Sequence, residues 1–302
     1  MSLQTQPAAP LPSQAGGRLT LPIQTGMDDE IRRLIARLGA DAVRNSDGTE
    51  LPGIVSELAA KVYSTYFVGR GDNTWADAHP QEATRIFLMS DRVVATADGV
   101  VSIDLLASWF ADQVRPDTGC DVTRWWQAHD RTTGQELPVS AWSIEADGRT
   151  VTVHEALAGH VYTVSFLAIQ TWDPTQMYNY LTNGWDEDPT RVKEKPFDVR
   201  HQDTWSHVRA HLSAWLAEHP EVDVVRFTTF FYHFTLVYGA DATERFVDWF
   251  GYSASVSVPA LEAFEEEYGY RLTAEDFVDA GYYNSPFRVP TRAFRDWIDF
   301  QQ

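Results

Sequence analysis

Residues 160–172 read HVYTVSFLAIQTW, an almost unbroken run of apolar and β-branched side chains. A strand with one wet face alternates apolar and polar residues. A run without that alternation belongs to a strand covered on both faces, as in parallel α/β sheets. The run stops at Asp173-Pro174, a turn signal. Two shorter segments behave as companions. Residues 40–44 (ADAVR) break into the turn Asn45-Ser46-Asp47-Gly48, and residues 223–231 (DVVRFTTFF) form a third buried-strand candidate.

Helical periodicity falls between these strands. Asp28 and Asp29 precede Ile31, Leu34, Ile35 and Leu38, and Gly39 supplies the stop. A helix follows Asp173-Pro174 through Tyr178 and Leu181. Residues 205–216 place Trp205, Val208, Leu212, Trp215 and Leu216 on one side. Further helices are predicted over 242–250, 259–268, 273–279 and 290–300. From 85 to 159 the pattern turns towards strands, at 85–89, 92–96, 139–144 and 150–154, with Asp147-Gly148 as a hairpin dipeptide. A helix over 103–113 interrupts them.

This order predicts an α/β chain that is the incomplete N-terminal part of a TIM-like (β/α)8 barrel, with a β-rich insertion after the first strand. The expected organisation is a disordered tail at 1–17, the start of the barrel at 18–84, the insertion at 85–159, and the barrel's continuation at 160–302. The sequence ends inside the helix 291–300 without a cap, as if cut before the strand that would carry catalysis.

Charge narrows the partners. With 24 basic and 43 acidic residues the formal net charge is −19, which disfavours nucleic acid and anionic membranes. The lone cysteine, Cys120, excludes a disulfide framework and a cysteine-based metal site within the chain. The N-terminal stretch has no basic or apolar region of a signal peptide, and no segment has membrane-spanning length, so a cytoplasmic protein is expected. The 11 Trp, 12 Tyr and 16 Phe fill a large core or line sugar sites with flat apolar walls.

Barrel enzymes hold their sites at the C-terminal ends of strands. Arg44 and Arg226 fall at such ends, where a guanidinium can fork onto sugar hydroxyls or phosphate, or pair with Asp47 or Asp173 to hold a loop. His207 and His211 have metal-like spacing, but without a zincin glutamate they read as a solvated helix face. The acidic stretch 262–267 reads likewise as an exposed face, and Gly69-Arg70-Gly71 lacks the context of a phosphate loop.

Several stretches resemble the 1,3-β-galactosyl-N-acetylhexosamine phosphorylases, the lacto-N-biose and galacto-N-biose phosphorylase family. They are residues 39–49, 162–168, 172–179, 223–232, 247–251 and 295–300, in order along nearly the whole chain. The resemblance implies an inverting phosphorolysis of a β-1,3-galactoside to α-galactose 1-phosphate and an N-acetylhexosamine. It implies that Arg44 and Arg226 grip the galactose side, that Asn179 contacts sugar, that Thr175 lies near the acceptor, and that Tyr252 falls beside the site. It places the catalytic aspartic acid beyond Gln302, so no catalytic residue is expected in this chain and the chain alone is expected to be inactive. No metal or organic cofactor is implied, and inorganic phosphate is a substrate. A homodimer is expected of the full-length protein. The rival readings are the galactosyl-rhamnose phosphorylase branch of the same family and a non-catalytic galactoside-binding protein.

Overall fold

A computed structural model describes residues 19–45, 50–69, 71–172, 188, 190, 192–227, 235–248, 255–279, 282–283 and 291–301. The chain forms two compact units, Met1–Val68 with Arg209–Thr228, and Gly69–Val208 with Thr229–Gln302. Among the described residues no helix is long and apolar enough to cross a membrane.

In the first unit four strands lie side by side in the order Thr20–Ile23, Ala42–Asn45, Lys61–Tyr66 and Val224–Phe227, every pair parallel. The strands expected near 40–44 and 223–231 are both present. The strands Thr20–Ile23 and Lys61–Tyr66 are additions, so three parallel strands rather than one precede the β-rich segment. The helix Asp28–Leu38 forms where its periodicity places it. Three acidic residues occupy its first turn, and Gly39, at φ 64°, closes it by donating its N–H to the Ile35 carbonyl. Its buried Ile31 joins Ile23, Val43, Ile54, Val55 and Val62 in one apolar cluster.

The second unit corrects the reading of 160–172. Strand Val161–Gln170 pairs antiparallel with Arg85–Met89, Val93–Val94, Val114–Pro116 and Gln127–Asp130. It belongs to the β-rich sheet and not to the parallel one. The inference of burial on both faces was sound, since every residue from Tyr162 to Gln170 is buried. Absence of alternation reports burial, however, and a doubly covered antiparallel strand lacks alternation too. The core around it includes Phe87, Trp125, Trp126, Phe166, Phe264, Phe277 and Trp297.

Two expected helices are absent. Residues 103–113 are the end of strand Gly99–Asp104 followed by turns. There the Asp104 carboxylate accepts the Leu106 N–H at 2.9 Å and both arms of the Arg149 guanidinium, which takes the backbone out of helical geometry. Residues Glu244–Asp248 form a strand paired antiparallel with Thr235–Tyr238. Residues 139–144 begin with a short 3₁₀ turn and become strand only at Trp142–Ile144. The Asp147-Gly148 hairpin is present, joining Trp142–Ile144 to Thr150–Ala156.

Helix Gln202–Glu218 carries the stripe expected at 205–216, but Trp205 and Leu216 are exposed and the fully buried residue is Thr204. A polar partner explains the choice of face: the Glu82 carboxylate accepts the Thr204 N–H and hydroxyl. The neighbouring His207 is not on a solvated face. Its ring lies 4.0 Å from Trp75, nearly parallel, and its Nε2 is 3.4 Å from Asp72. His211 is exposed, as expected. The 262–267 face is largely exposed, with Arg124 reaching Glu262 and Glu265.

Two ion pairs fasten the second unit. Arg85 Nε donates to Asp117 at 2.7 Å with both side chains almost wholly buried. Arg131 forks onto Glu275 at 2.9 and 2.6 Å, and the Ser165 hydroxyl adds a bond at 2.8 Å. Burial works to raise the Glu275 pKa, but the Arg131 hydrogen bonds and charge outweigh it and hold the carboxyl below its ordinary value. Cys120, free of any disulfide, has its thiol pushed up to about 12, chiefly by burial.

Candidate functional site

Arg44 and Arg226 both belong to the parallel sheet of the first unit, and its register relates them. Arg44 is the penultimate residue of strand Ala42–Asn45 and stands opposite Tyr63. Arg226 is the penultimate residue of Val224–Phe227 and stands opposite Thr65. Residues opposite each other on neighbouring strands share a face, and so do residues two apart on one strand. Arg44, Tyr63, Thr65 and Arg226 are therefore on one face of the sheet, with strand Lys61–Tyr66 between the two arginines. Strand spacing and a two-residue stagger put the arginine Cα atoms about 12 Å apart. Two extended guanidinium arms are long enough to span that gap.

The two faces differ in kind. Val43 and Val62 point the other way and are sealed by Ile23, Ile31, Ile54 and Val55. On the arginine face, Arg44, Tyr63, Thr65 and Arg226 are all half-buried. A parallel sheet with one apolar face under a helix and one half-buried face bearing cations near its C-terminal ends has the layout of a barrel-type binding site.

The register itself is held from both ends. At the N-terminal end of the sheet the Asp223 carboxylate takes Lys61 Nζ at 2.9 Å and the Val62 N–H at 2.9 Å, which sets Val224–Phe227 against Lys61–Tyr66. The Lys61 hydrogen bond, with the Val62 amide, lowers the Asp223 pKa. At the C-terminal end Asn45 donates to the Ser64 hydroxyl at 3.2 Å, and its side-chain carbonyl accepts the Thr65 N–H at 3.1 Å. Asn45 is buried on the face opposite Arg44. Arg44 Nη1 approaches the Asn45 carbonyl at 3.4 Å, a long contact.

The structure thus brings together Arg44 and Arg226. Thr175, Asn179 and Tyr252 lie outside the described residues, as do Asp47 and Asp173. Sequence reasoning missed Tyr63 and Thr65 because it missed their strand. The signal was available in KVYSTY, where aromatic and β-branched residues cluster.

Residues 17–302 match the family model described as the lacto-N-biose phosphorylase N-terminal TIM barrel domain. Similar proteins include a 1,3-β-galactosyl-N-acetylhexosamine phosphorylase of Lachnoclostridium phytofermentans, 44% identical over 95% of this chain and 39% of its own length. Another of that name, from Bifidobacterium longum subsp. longum, is 46% identical over 94% of this chain and 37% of its own length. A D-galactosyl-β-1→4-L-rhamnose phosphorylase of Lachnoclostridium phytofermentans is 35% identical over 94% of this chain and 39% of its own length. The chain spans about two fifths of the length of these curated relatives.

Proposed function

Because this chain belongs to the lacto-N-biose phosphorylase N-terminal TIM barrel domain family, we propose that it supplies the galactose-gripping part of a disaccharide phosphorylase. The reaction is the inverting phosphorolysis of a β-1,3-galactosyl-N-acetylhexosamine, galacto-N-biose or lacto-N-biose. A phosphate oxygen bonds to the anomeric carbon of galactose from one side. The bond to the glycosidic oxygen breaks on the other, and that oxygen takes a proton from a carboxylic acid. The products are α-galactose 1-phosphate and N-acetylhexosamine. Phosphate brings its own nucleophilic oxygen, so no carboxylate base is needed to activate water. The acid is assigned to no residue of this chain.

The observation that carries the reading is the placement of Arg44 and Arg226 on one half-buried face near the C-terminal ends of a parallel sheet. Asn179, Thr175 and Tyr252 are assigned, on family resemblance, to a second sugar contact, the acceptor side and the margin of the site. Disaccharide and phosphate are the ligands, no further cofactor is invoked, and the working protein is a cytoplasmic homodimer. N-acetylhexosamine is preferred to rhamnose as the acceptor, in keeping with the higher identity to relatives named for it.

The test uses the phosphorylase polypeptide that carries this chain, with galacto-N-biose, lacto-N-biose or galactosyl-rhamnose and inorganic phosphate, and follows α-galactose 1-phosphate. Arg44→Ala and Arg226→Ala should each lower kcat/KM by about 1.5–3 kcal/mol, roughly 10- to 150-fold, through loss of a charge-assisted contact. Thermal unfolding should stay close to the parent's. Near-normal turnover in both variants would reduce these arginines to loop pins.

A further inference from the structure

Resting on that reading of the site, we propose that Tyr63 is a substrate-contacting residue whose phenol oxygen accepts the hydrogen of a galactosyl hydroxyl held by the arginines. Tyr63 stands directly opposite Arg44 on one side and Val224 on the other, and Arg226 is its diagonal neighbour, one step nearer the C-terminal ends. It is half-buried on the arginine face. Among the described residues its hydroxyl has no hydrogen-bond partner. Other tyrosines of the molecule behave differently. The Tyr162 hydroxyl accepts the Leu157 N–H at 3.0 Å, and the Tyr270 hydroxyl donates to Asp296 at 2.7 Å. A half-buried phenol normally finds a partner, so one left open beside two cations is placed for a ligand.

Donor and acceptor chemistry sharpens the assignment. A sugar hydroxyl both accepts and donates, whereas a guanidinium only donates. Arg44 and Arg226 can saturate the lone pairs of a galactosyl hydroxyl but cannot take its hydrogen. A bound sugar held by these arginines alone would leave that hydrogen unpaired in a partly desolvated site. Tyr63 supplies the missing acceptor, and its ring gives the flat apolar wall that a sugar's C–H surface needs. Thr65, also on this face, carries a second hydroxyl, opposite Arg226.

The experiment compares the wild-type phosphorylase polypeptide with Tyr63→Phe on the parent galactoside and on galactosides lacking the 2-, 3-, 4- or 6-hydroxyl in turn. Thermal unfolding is recorded in parallel, and galactose binding is measured by calorimetry. Tyr63→Phe should lower kcat/KM on the parent about tenfold, mainly through KM, with unfolding unchanged. With one of the deoxygalactosides, wild type and variant should become equal, because the bond each change removes is the same one. An equal loss on every deoxygalactoside, or no loss on the parent, overturns the assignment while leaving the phosphorylase reading intact. A wild-type protein that neither phosphorolyses nor binds galactosides overturns both. Should Tyr63→Phe unfold early, Tyr63→Leu, which also lacks the phenol oxygen, goes through the same series, and its loss must likewise vanish on one deoxygalactoside and no other.

Discussion

The two units treat their sheets in opposite ways. In the parallel unit one face is sealed by Ile23, Ile31, Val43, Ile54, Val55 and Val62, and the other stays half-buried and carries Arg44, Tyr63, Thr65 and Arg226. In the antiparallel unit strand Val161–Gln170 is covered on both faces by a core rich in Trp and Phe. The ionic contacts differ at their extreme, the antiparallel unit having exposed pairs such as Arg149–Asp104 as well as a buried one. Lys61–Asp223 in the parallel unit is well exposed, whereas Arg85–Asp117 in the antiparallel unit is almost wholly buried. A face kept partly open is available to a ligand, and a sheet closed on both sides is not. The half-buried polar face thus belongs to the smaller core, and the doubly covered strand to the larger.

The strongest way to break this comparison is Trp297→Ala. Trp297 is fully buried, with Phe264, Phe277 and Phe300 rings within 5.9 Å. Loss of its indole should cost about 3–5 kcal/mol. Hydrogen exchange should show amides of Val161–Gln170 losing protection while those of Ala42–Asn45 and Lys61–Tyr66 keep theirs. Parallel losses in both sets would mean that the units unfold as one.

Acid tests the next level. The folded-state pKa of Glu275 lies below its unfolded value, so its contribution is complete above about pH 4.3 and fades as pH falls through the folded pKa. Glu275→Gln should destabilise the antiparallel unit by about 1.5–3 kcal/mol at neutral pH. Urea titrations of wild type and variant should converge below pH 4.3. A gap that stays constant to pH 2 would mean that the charge of Glu275 is immaterial. The smallest effect belongs to the parallel unit. Lys61→Ala removes an exposed pair and should cost less than about 1 kcal/mol, measured by the same titration. A larger loss would make that pair more than a register mark.

The sequence resolved the parallel unit better than the antiparallel one. Helix Asp28–Leu38 and its Gly39 stop were legible because capping and periodicity are local. The strands at 42–45 and 224–227, and with them Arg44 and Arg226, were legible from β-branched runs ending in turn residues. Strand direction was not, because the direction of Val161–Gln170 depends on partners such as Arg85–Met89 and Gln127–Asp130, which no local pattern names. Ile103, Leu106 and Trp109 imitate helical spacing, and only the remote Arg149 on Asp104 tells against it. Tyr63 was hidden because its strand went unrecognised, and its relation to Arg226 exists only through pairing across a long stretch of chain.

That pairing sets a timetable for synthesis. Lys61 and Asp223, which align the third and fourth parallel strands, are 162 residues apart. At about 5–20 residues per second, a ribosome needs roughly 8–30 s to deliver the second after the first. During that interval strand Lys61–Tyr66 is an open edge, and the face bearing Arg44 and Arg226 is half assembled. The antiparallel strands between Arg85 and Gln170 are made within the same interval and pair over shorter separations, at a lower loop-closure cost. The nascent chain should therefore pair those strands before Val224–Phe227 arrives, while Phe264, Phe277 and Trp297 complete their core later still, and a chaperone that shields an open strand edge would act in that window.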